Sequence, residues 1–438
     1  SQIAFRIDSA ASGSMHIQYF MLYLHTFMWY YAAVPRPYVP RDIEPRITAA
    51  AEQFPVVVVT GPRQTGKSTL LTELFPDHGY VNLDDPVVRR TAVEDPGLFV
   101  DRCPDQCVVD EVQYAPEILP YIKMRVDNDR SRTGVFFLTG SEVFPLMQGL
   151  SESLAGRAAI FELLGLSSGE YPVGSTDVSG LFQRCFTGEY PEPLVHKADR
   201  NIYYGGYIQT YVERDVRRVE SIRDLVVFQQ FLELVAARVG GLLNLSELAK
   251  DAGVSQPTAR RWMAILETSR IVYLLRPFHR NITKRTIKAP KVYFTDTGLL
   301  SYLLKYPDWR SLSSGPQAGA MLENYVVIEL LKAKLNHGYL FELSFYRDSN
   351  KNEVDLVIDC GRSTHLCEIK LAKTVRPRHY STLSRLASQF PEPHQYLISL
   401  YPEHTPLDRA VHNVPFSAVA DLARQAFPTA PGTGILPT

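Results

Sequence analysis

The stretch Val56-Val57-Val58-Val59-Thr60-Gly61-Pro62-Arg63-Gln64-Thr65-Gly66-Lys67-Ser68 decides the reading of this chain. Its first part is a short β-branched run, the habit of a fully buried strand. Its second part fits the spacing G-x-x-x-x-G-K-[ST] and is followed by a helical pattern. A strand that ends in a glycine-rich turn and opens a helix leaves backbone N–H groups unpaired at the helix start, where they can hold phosphate oxygens. The expected nucleotide-binding residues are Gly61, Pro62, Arg63, Gln64, Thr65, Gly66, Lys67, Ser68 and Thr69. In that arrangement Lys67 reaches the β- and γ-phosphates of ATP and Ser68 ligates Mg2+.

Further short apolar runs at 80–83, 107–110, 135–139 and 158–163 alternate with helix-like segments, which predicts a parallel sheet with crossover helices. The run Cys107-Val108-Val109 ends in Asp110-Glu111. An acid at the end of a neighbouring strand can hold the magnesium shell, and the next can orient and polarise the attacking water. Asp110 takes the first role and Glu111 the second. The run that ends in Leu138-Thr139-Gly140-Ser141 should bring its tip between the acidic strand and the phosphate loop. There Ser141 either contacts the γ-phosphate or the water, or caps the next helix. Arg157 closes Ser153-Leu154-Ala155-Gly156-Arg157 before the last strand. It either pairs at a helix end or, in a ring of copies, neutralises transition-state charge on a neighbour's γ-phosphate.

With 438 residues the chain exceeds one ordinary core and predicts two or three domains. Hydrophobic residues at 45% and charged residues at 21% exclude a largely disordered or fibrous chain. A formal charge of −1 excludes any global pull toward nucleic acid, so contact with DNA would need a local basic face. Five cysteines are few and odd in number, and no second pair completes Cys103 and Cys107 into a metal site; they read as reduced thiols of a cytoplasmic protein. The apolar, aromatic stretch 16–34 holds two histidines and is barely long enough to span a bilayer, so residues 1–37 read as an N-terminal extension rather than a membrane segment.

Residues 166–224 read as a helical connector and 225–312 as a helix-turn-helix followed by a wing. Leu245-Ser246-Glu247-Leu248-Ala249-Lys250-Asp251-Ala252-Gly253-Val254-Ser255 gives a capped helix, a glycine turn and a second cap. In the next helix, 256–268, Ala259, Met263 and Leu266 face inward while Arg260 and Arg261 face out, toward either a DNA groove or a protein partner. Arg276, His279, Arg280, Lys284, Arg285, Lys288 and Lys291 form a basic strip suited to phosphates. Residues 313–427 read as an α/β unit, with a helix over 321–335 and strands at 343–347, 353–359 and 365–371, before a disordered tail at 428–438. Glu368 and Lys370 share one strand face, Asp355 approaches from the adjacent strand and Glu323 from the helix. Carboxylates so grouped can bind magnesium while the lysine positions a water for phosphodiester cleavage.

The phosphate loop together with Val39-Pro40-Arg41, Val109-Asp110-Glu111-Val112-Gln113, Leu138-Thr139-Gly140-Ser141 and Leu154-Ala155-Gly156-Arg157 resembles the prokaryotic AAA-like ATPases that carry a C-terminal domain of unknown function. The resemblance covers residues 38–411. It implies an ATPase core over 38–165, a winged helix and a restriction-endonuclease-like end domain, and carries no biological role with it. The end domain is similar to the PD-(D/E)XK nucleases at Glu323, Asp355, Glu368 and Lys370, with Val354 where that family's name has proline. The expected function is an ATP-driven switch or motor acting on DNA. The alternative is an ATP-regulated protein-interaction switch, in a toxin–antitoxin or defence setting, with an inactive nuclease-like domain. A homo-oligomeric ring accompanies the trans role of Arg157.

Overall fold

Four consecutive valines cannot alternate between core and water, and β1 (Val56–Thr60) is accordingly buried on both faces. The computed structural model describes residues 37–141, 153–172, 177–212, 225–278 and 289–426. The stretch 16–34, the tail 428–438 and the basic residues His279, Arg280, Lys284, Arg285 and Lys288 lie outside the described residues. The architecture below belongs to the unit Pro40–Thr438.

The first sheet has the order β2-β3-β4-β1-β5, with β2 at Gly79–Asn82, β3 at Cys107–Asp110, β4 at Phe136–Gly140 and β5 at Ala158–Glu162. Every pairing in it is parallel. All five strands therefore end on the same edge, which gathers the loops that follow them. Val56, Val58, Phe136 and Leu138 pack with Leu119, Ile122 and Val126 of the helix Leu119–Asn128 into a core on one face. The sequence reading of five parallel strands differs from these bounds by no more than a residue or so at each end.

The connector forms helices Val178–Thr187, Pro191–Leu194 and Arg200–Tyr207 and ends in a π-helical turn, Ile208–Val212. Gly188 has φ +90°, and a Cβ there would lie 1.9 Å from the Tyr204 hydroxyl oxygen. Only glycine allows the connector to close on residues 296–298.

Among the described residues the second sheet has eight strands in the order β12-β13-β11-β10-β9-β8-β6-β7. These are β6 (Val272–Pro277), β7 (Lys291–Phe294), β8 (Glu342–Arg347), β9 (Glu353–Asp359), β10 (Thr364–Lys370), β11 (Pro393–Ser399), β12 (Thr405–Pro406) and β13 (Val411–Pro415). Strands β6 and β7 pair antiparallel where a wing is expected, yet Arg276 and Pro277 at the end of β6 pair in parallel with Ser344 and Phe345 of β8. The segments read separately as 225–312 and 313–427 thus share one sheet, and one hydrophobic cluster runs through both.

Before the hairpin, helices Leu245–Asp251 and Gln256–Thr268 begin at Asn244 and Ser255, whose side chains accept from backbone N–H groups of the first turn. Trp262 of the second helix stacks edge-on against Phe228 and Phe231 of the helix Leu225–Ala236. The long helix Ala318–His337 is buried along most of its length, against β7, β10 and the terminal helix Val419–Ala426, and it also reaches β5 of the first sheet. Among the described residues no helix is long and apolar enough to cross a membrane.

Trp262→Ala should remove the central ring of the aromatic cluster and destabilise the chain by about 3–5 kcal/mol. The shift in denaturant midpoint at unchanged slope measures it.

Candidate functional site

The turn after β1 uses three residues in left-handed conformations, Gly61 (φ 141°), Gln64 (φ 62°) and Gly66 (φ 89°). At Gly61 a Cβ would lie 2.1 Å from the carbonyl oxygen of Leu163, so the loop passes the end of β5 at a distance that only glycine permits. A Cβ at Gly66 would meet nothing within 4 Å, so the space in front of the helix Lys67–Leu74 is open. That helix start presents N–H groups outward, the arrangement that holds phosphate oxygens.

Lys67 is buried and folds back, its Nζ donating to the carbonyls of Gly61 (3.1 Å) and Pro62 (2.8 Å). Burial lowers its ammonium from 10.5 to about 8, against the opposing pull of Glu111 and Asp110. Arg63 is buried and donates to the Tyr114 hydroxyl (3.1 Å). Thr65 is buried and donates to the Pro62 carbonyl (3.0 Å), whereas Gln64 and Thr69 are exposed.

Asp110, at the end of β3, receives three hydroxyl groups. Ser68 Oγ donates to its Oδ1 at 2.7 Å, Thr139 Oγ1 donates to the same oxygen, and the Tyr80 hydroxyl donates to Oδ2 at 2.7 Å. Burial, reinforced by this bond, raises the Tyr80 phenol above its ordinary range. Neutral hydroxyls hold the carboxylate in place without cancelling its charge. Ser68 and Asp110 therefore put two hard oxygen donors side by side, a set that fits Mg2+.

Glu111 follows in a left-handed conformation (φ 59°) that turns its side chain away from the line of β3. Its N–H donates to Thr139 Oγ1 (3.0 Å). Its carboxylate accepts from Gln113 Nε2 and from Ser141 Oγ (3.3 Å), and Gln113 also donates to Ser141 Oγ (3.0 Å). Ser141 thus orients Glu111. Tyr80, Gln113 and Thr139 complete the site and were not singled out from sequence. Gln113 and Thr139 stand inside the motif strings quoted above, whereas Tyr80, the second residue of β2, carries no local signal.

Arg157 stands apart. It immediately precedes β5, and its carbonyl accepts from the N–H of Val56 at the start of β1, at the edge opposite the phosphate loop. Its guanidinium makes a two-pronged pair with Asp127 (2.8 and 2.9 Å). Within one copy it does not approach the phosphate loop.

Asp355, Glu368 and Lys370 of the second sheet and Glu323 of the helix Ala318–His337 are brought together with Lys291 and Glu353. Lys370 Nζ lies 2.6 Å from Glu368 and 3.3 Å from Asp355, and Asp355 also accepts from the N–H of Ile369 (2.9 Å). Burial beside Asp355 pushes the Glu368 carboxyl up to about 7. Lys291 Nζ sits between Glu323 (2.9 Å) and Glu353 (2.6 Å), and Glu323 also accepts from the Tyr293 hydroxyl (2.6 Å). Burial alone would lower Lys291, but Glu323, Asp355 and Glu353 outweigh it and hold the ammonium charged. Lys291 is only 3% exposed, so it leaves the basic strip expected from sequence: the carboxylates draw it inward. Among the described residues no group of three or more His, Cys, Asp or Glu side chains is arranged to hold a metal ion. The Mg2+ expectation for Glu323, Asp355 and Glu368 therefore meets carboxylates already paired with ammonium groups of the chain.

Of the expected DNA contacts, Arg260 and Arg261 are exposed on the helix Gln256–Thr268, while Arg280, Lys284 and Arg285 lie outside the described residues. Arg276 pairs with Glu267 (3.1 Å).

The family model of an AAA domain matches residues 53–172, which hold the phosphate loop, Asp110, Glu111, Ser141 and Arg157. Two domains of unknown function match residues 179–310 (DUF8612) and 318–419 (DUF4143). The uncharacterized proteins Rv2008c of Mycobacterium tuberculosis and Mb2031c of Mycobacterium bovis are each 31% identical over 369 residues, covering 82% of this chain and 81% of theirs. Among solved structures, a Walker-type ATPase of Pyrococcus abyssi is 14% identical with a TM-score of 0.38, over 61% of this chain and 96% of its own.

The depressed Lys67 value has a consequence for stability. Between about 8 and 10.5 the unfolded chain binds the proton that the folded chain has released, so stability rises with pH across that window. Lys67→Met should abolish this rise, worth up to roughly 3 kcal/mol. Unfolding free energies of the two chains at pH 8 and pH 10, without nucleotide, measure it.

Proposed function

The chain belongs to the family of the mycobacterial protein Rv2008c, and we propose that it binds and hydrolyses ATP and uses the cycle to act on DNA. One observation carries the ATPase reading: Ser68 and Asp110 meet at the mouth of the phosphate loop, with Glu111 beside them oriented by Gln113 and Ser141. The loop N–H groups bind the phosphates and Lys67 swings from the Gly61 and Pro62 carbonyls to the β- and γ-phosphates, whose charge keeps its ammonium protonated. Ser68 and Asp110 would hold Mg2+, which when bound would supply positive charge against the phosphate oxygens. Glu111 accepts the proton of the attacking water.

Glu111→Gln should lower turnover by about 100- to 10,000-fold while ATP still binds. Lys67→Ala should lose binding as well. Steady-state phosphate release together with equilibrium binding of a fluorescent ATP analogue separates the two effects.

The DNA reading is supported by the exposed Arg260 and Arg261 on the second helix of a helix-turn-helix, read as part of a winged helix. It predicts ATP hydrolysis stimulated by duplex DNA. Each arginine changed to alanine should reduce the slope of log affinity against log salt by about one. Binding isotherms at several salt concentrations measure this, and a slope unchanged in both variants would remove the helix from the interface.

The second reading, a protein-interaction switch with an inactive nuclease-like end domain, is favoured by the Lys291 ammonium seated between Glu323 and Glu353. It predicts hydrolysis indifferent to DNA and no cleavage that Lys370→Ala removes. A ring in which Arg157 serves a neighbouring copy would have to open the Asp127 pair. Sedimentation with and without ATP tests that assembly.

A further inference from the structure

The rear of the phosphate loop rests on a buried guanidinium. Arg41 Nη1 donates to the carbonyl of Thr65 inside the loop (3.0 Å), and Nη2 donates to the carbonyls of Leu164 (2.9 Å) and Gly165 (3.4 Å) just past β5. Its Nε pairs with Glu170 at 3.0 Å, with the two side chains 4% and 0% exposed. A fork so placed fixes the loop relative to the end of β5, because a guanidinium offers its donors in one rigid plane.

Glu170 is held in turn from both halves of the molecule. Its Oε1 accepts from the N–H of Asp42 (2.8 Å) and from Nδ2 of Asn336 (3.2 Å), and its Oε2 from the N–H of Ser167 (2.7 Å). Asn336 is buried in the last turn of the helix Ala318–His337. One residue earlier, the Leu335 carbonyl accepts from Arg46 Nη1 (2.6 Å). The helix that carries Glu323 at one end therefore grips, at the other, the strap 41–46 behind the phosphate loop.

We propose that Arg41 and Glu170 are positioning residues for the phosphate loop and that Asn336 of the C-terminal half completes their support. The proposal rests on the ATP reading above for its kinetic consequence, though not for its structural one. Removing Asn336 deletes one hydrogen bond from a neutral donor to Glu170 and touches neither Asp110 nor Glu111. It loosens the cradle that binds phosphates and leaves the chemistry of the bound state intact.

The test compares the full chain with Asn336→Ala, Arg41→Lys and, as a structural control, Asn324→Ala. Asn324 is a buried amide of the same helix that accepts from the Phe294 N–H (2.7 Å) and donates to its carbonyl (2.9 Å), away from Glu170. Asn336→Ala is expected to raise KM for ATP by about three- to tenfold with kcat unchanged. Without nucleotide, hydrogen exchange at the amides of residues 63–67 is expected to quicken in Asn336→Ala and Arg41→Lys and to match wild type in Asn324→Ala. Loop exchange at the wild-type rate in Asn336→Ala overturns the proposal, as does an equal change in Asn324→Ala. A wild-type chain that binds no ATP would sink the ATP reading, while the exchange measurement still decides the positioning. Should Arg41→Lys not fold, Asn336→Ala against its control decides the matter alone.

Discussion

Three hydroxyl groups from three elements aim their protons at one carboxylate, and the site follows from that convergence. Ser68 comes from the loop helix, Tyr80 from β2 and Thr139 from β4, all onto Asp110. Ser68 and Thr139 reach it from the edge on which the parallel strands end, and the Tyr80 hydroxyl reaches it from the second residue of the neighbouring β2. Glu111 then departs from β3 at a left-handed residue and lands on Gln113 and Ser141. One acid is thereby held beside Ser68 and the next beside Gln113 and Ser141.

A second acidic cluster in the same chain shows how neutralisation decides what carboxylates can do. Asp110 is oriented by hydroxyls, which leave its charge available to an incoming ion. Glu323 and Glu353 share the ammonium of Lys291, and Glu368 and Asp355 share that of Lys370. There the countercharge is already part of the fold, and a metal would have to displace the buried Lys291 or the half-exposed Lys370. Breaking such a pair is costly because it leaves an uncompensated charge in a low-dielectric interior. The two halves nevertheless form one mechanical body, since the helix Ala318–His337 packs on β7 and β10 and reaches β5.

Much of this was legible in the sequence, for reasons that differ by residue. The central strands β1, β3 and β4 announce themselves as apolar runs, because parallel strands buried on both faces tolerate little else. Lys67, Ser68, Asp110 and Glu111 could be named because their spacing is local: each sits at a strand end that the pattern itself marks. Arg41 stood in a recognisable motif, but its work depends on Glu170 and Asn336, which no short-range pattern connects. Lys291 read as part of a basic strip, since periodicity gives a residue's face and not the acids that await it. The pairing of β6 with β8 rests on two residues at the end of a strand, too short a register to leave a trace in the sequence. The pair between Arg157 and Asp127 is likewise a tertiary fact, joining a strand start to a helix end 30 residues away.

The central claim, that residues 61–68 and Asp110 together hold ATP with Mg2+, is met most directly by calorimetric titration of ATP into the Glu111→Gln chain, in which turnover does not blur the heats. The account predicts saturable one-to-one binding that weakens when Mg2+ is chelated and disappears in Lys67→Ala combined with Glu111→Gln. No saturable heat, or heat that survives the loss of Lys67, would contradict it.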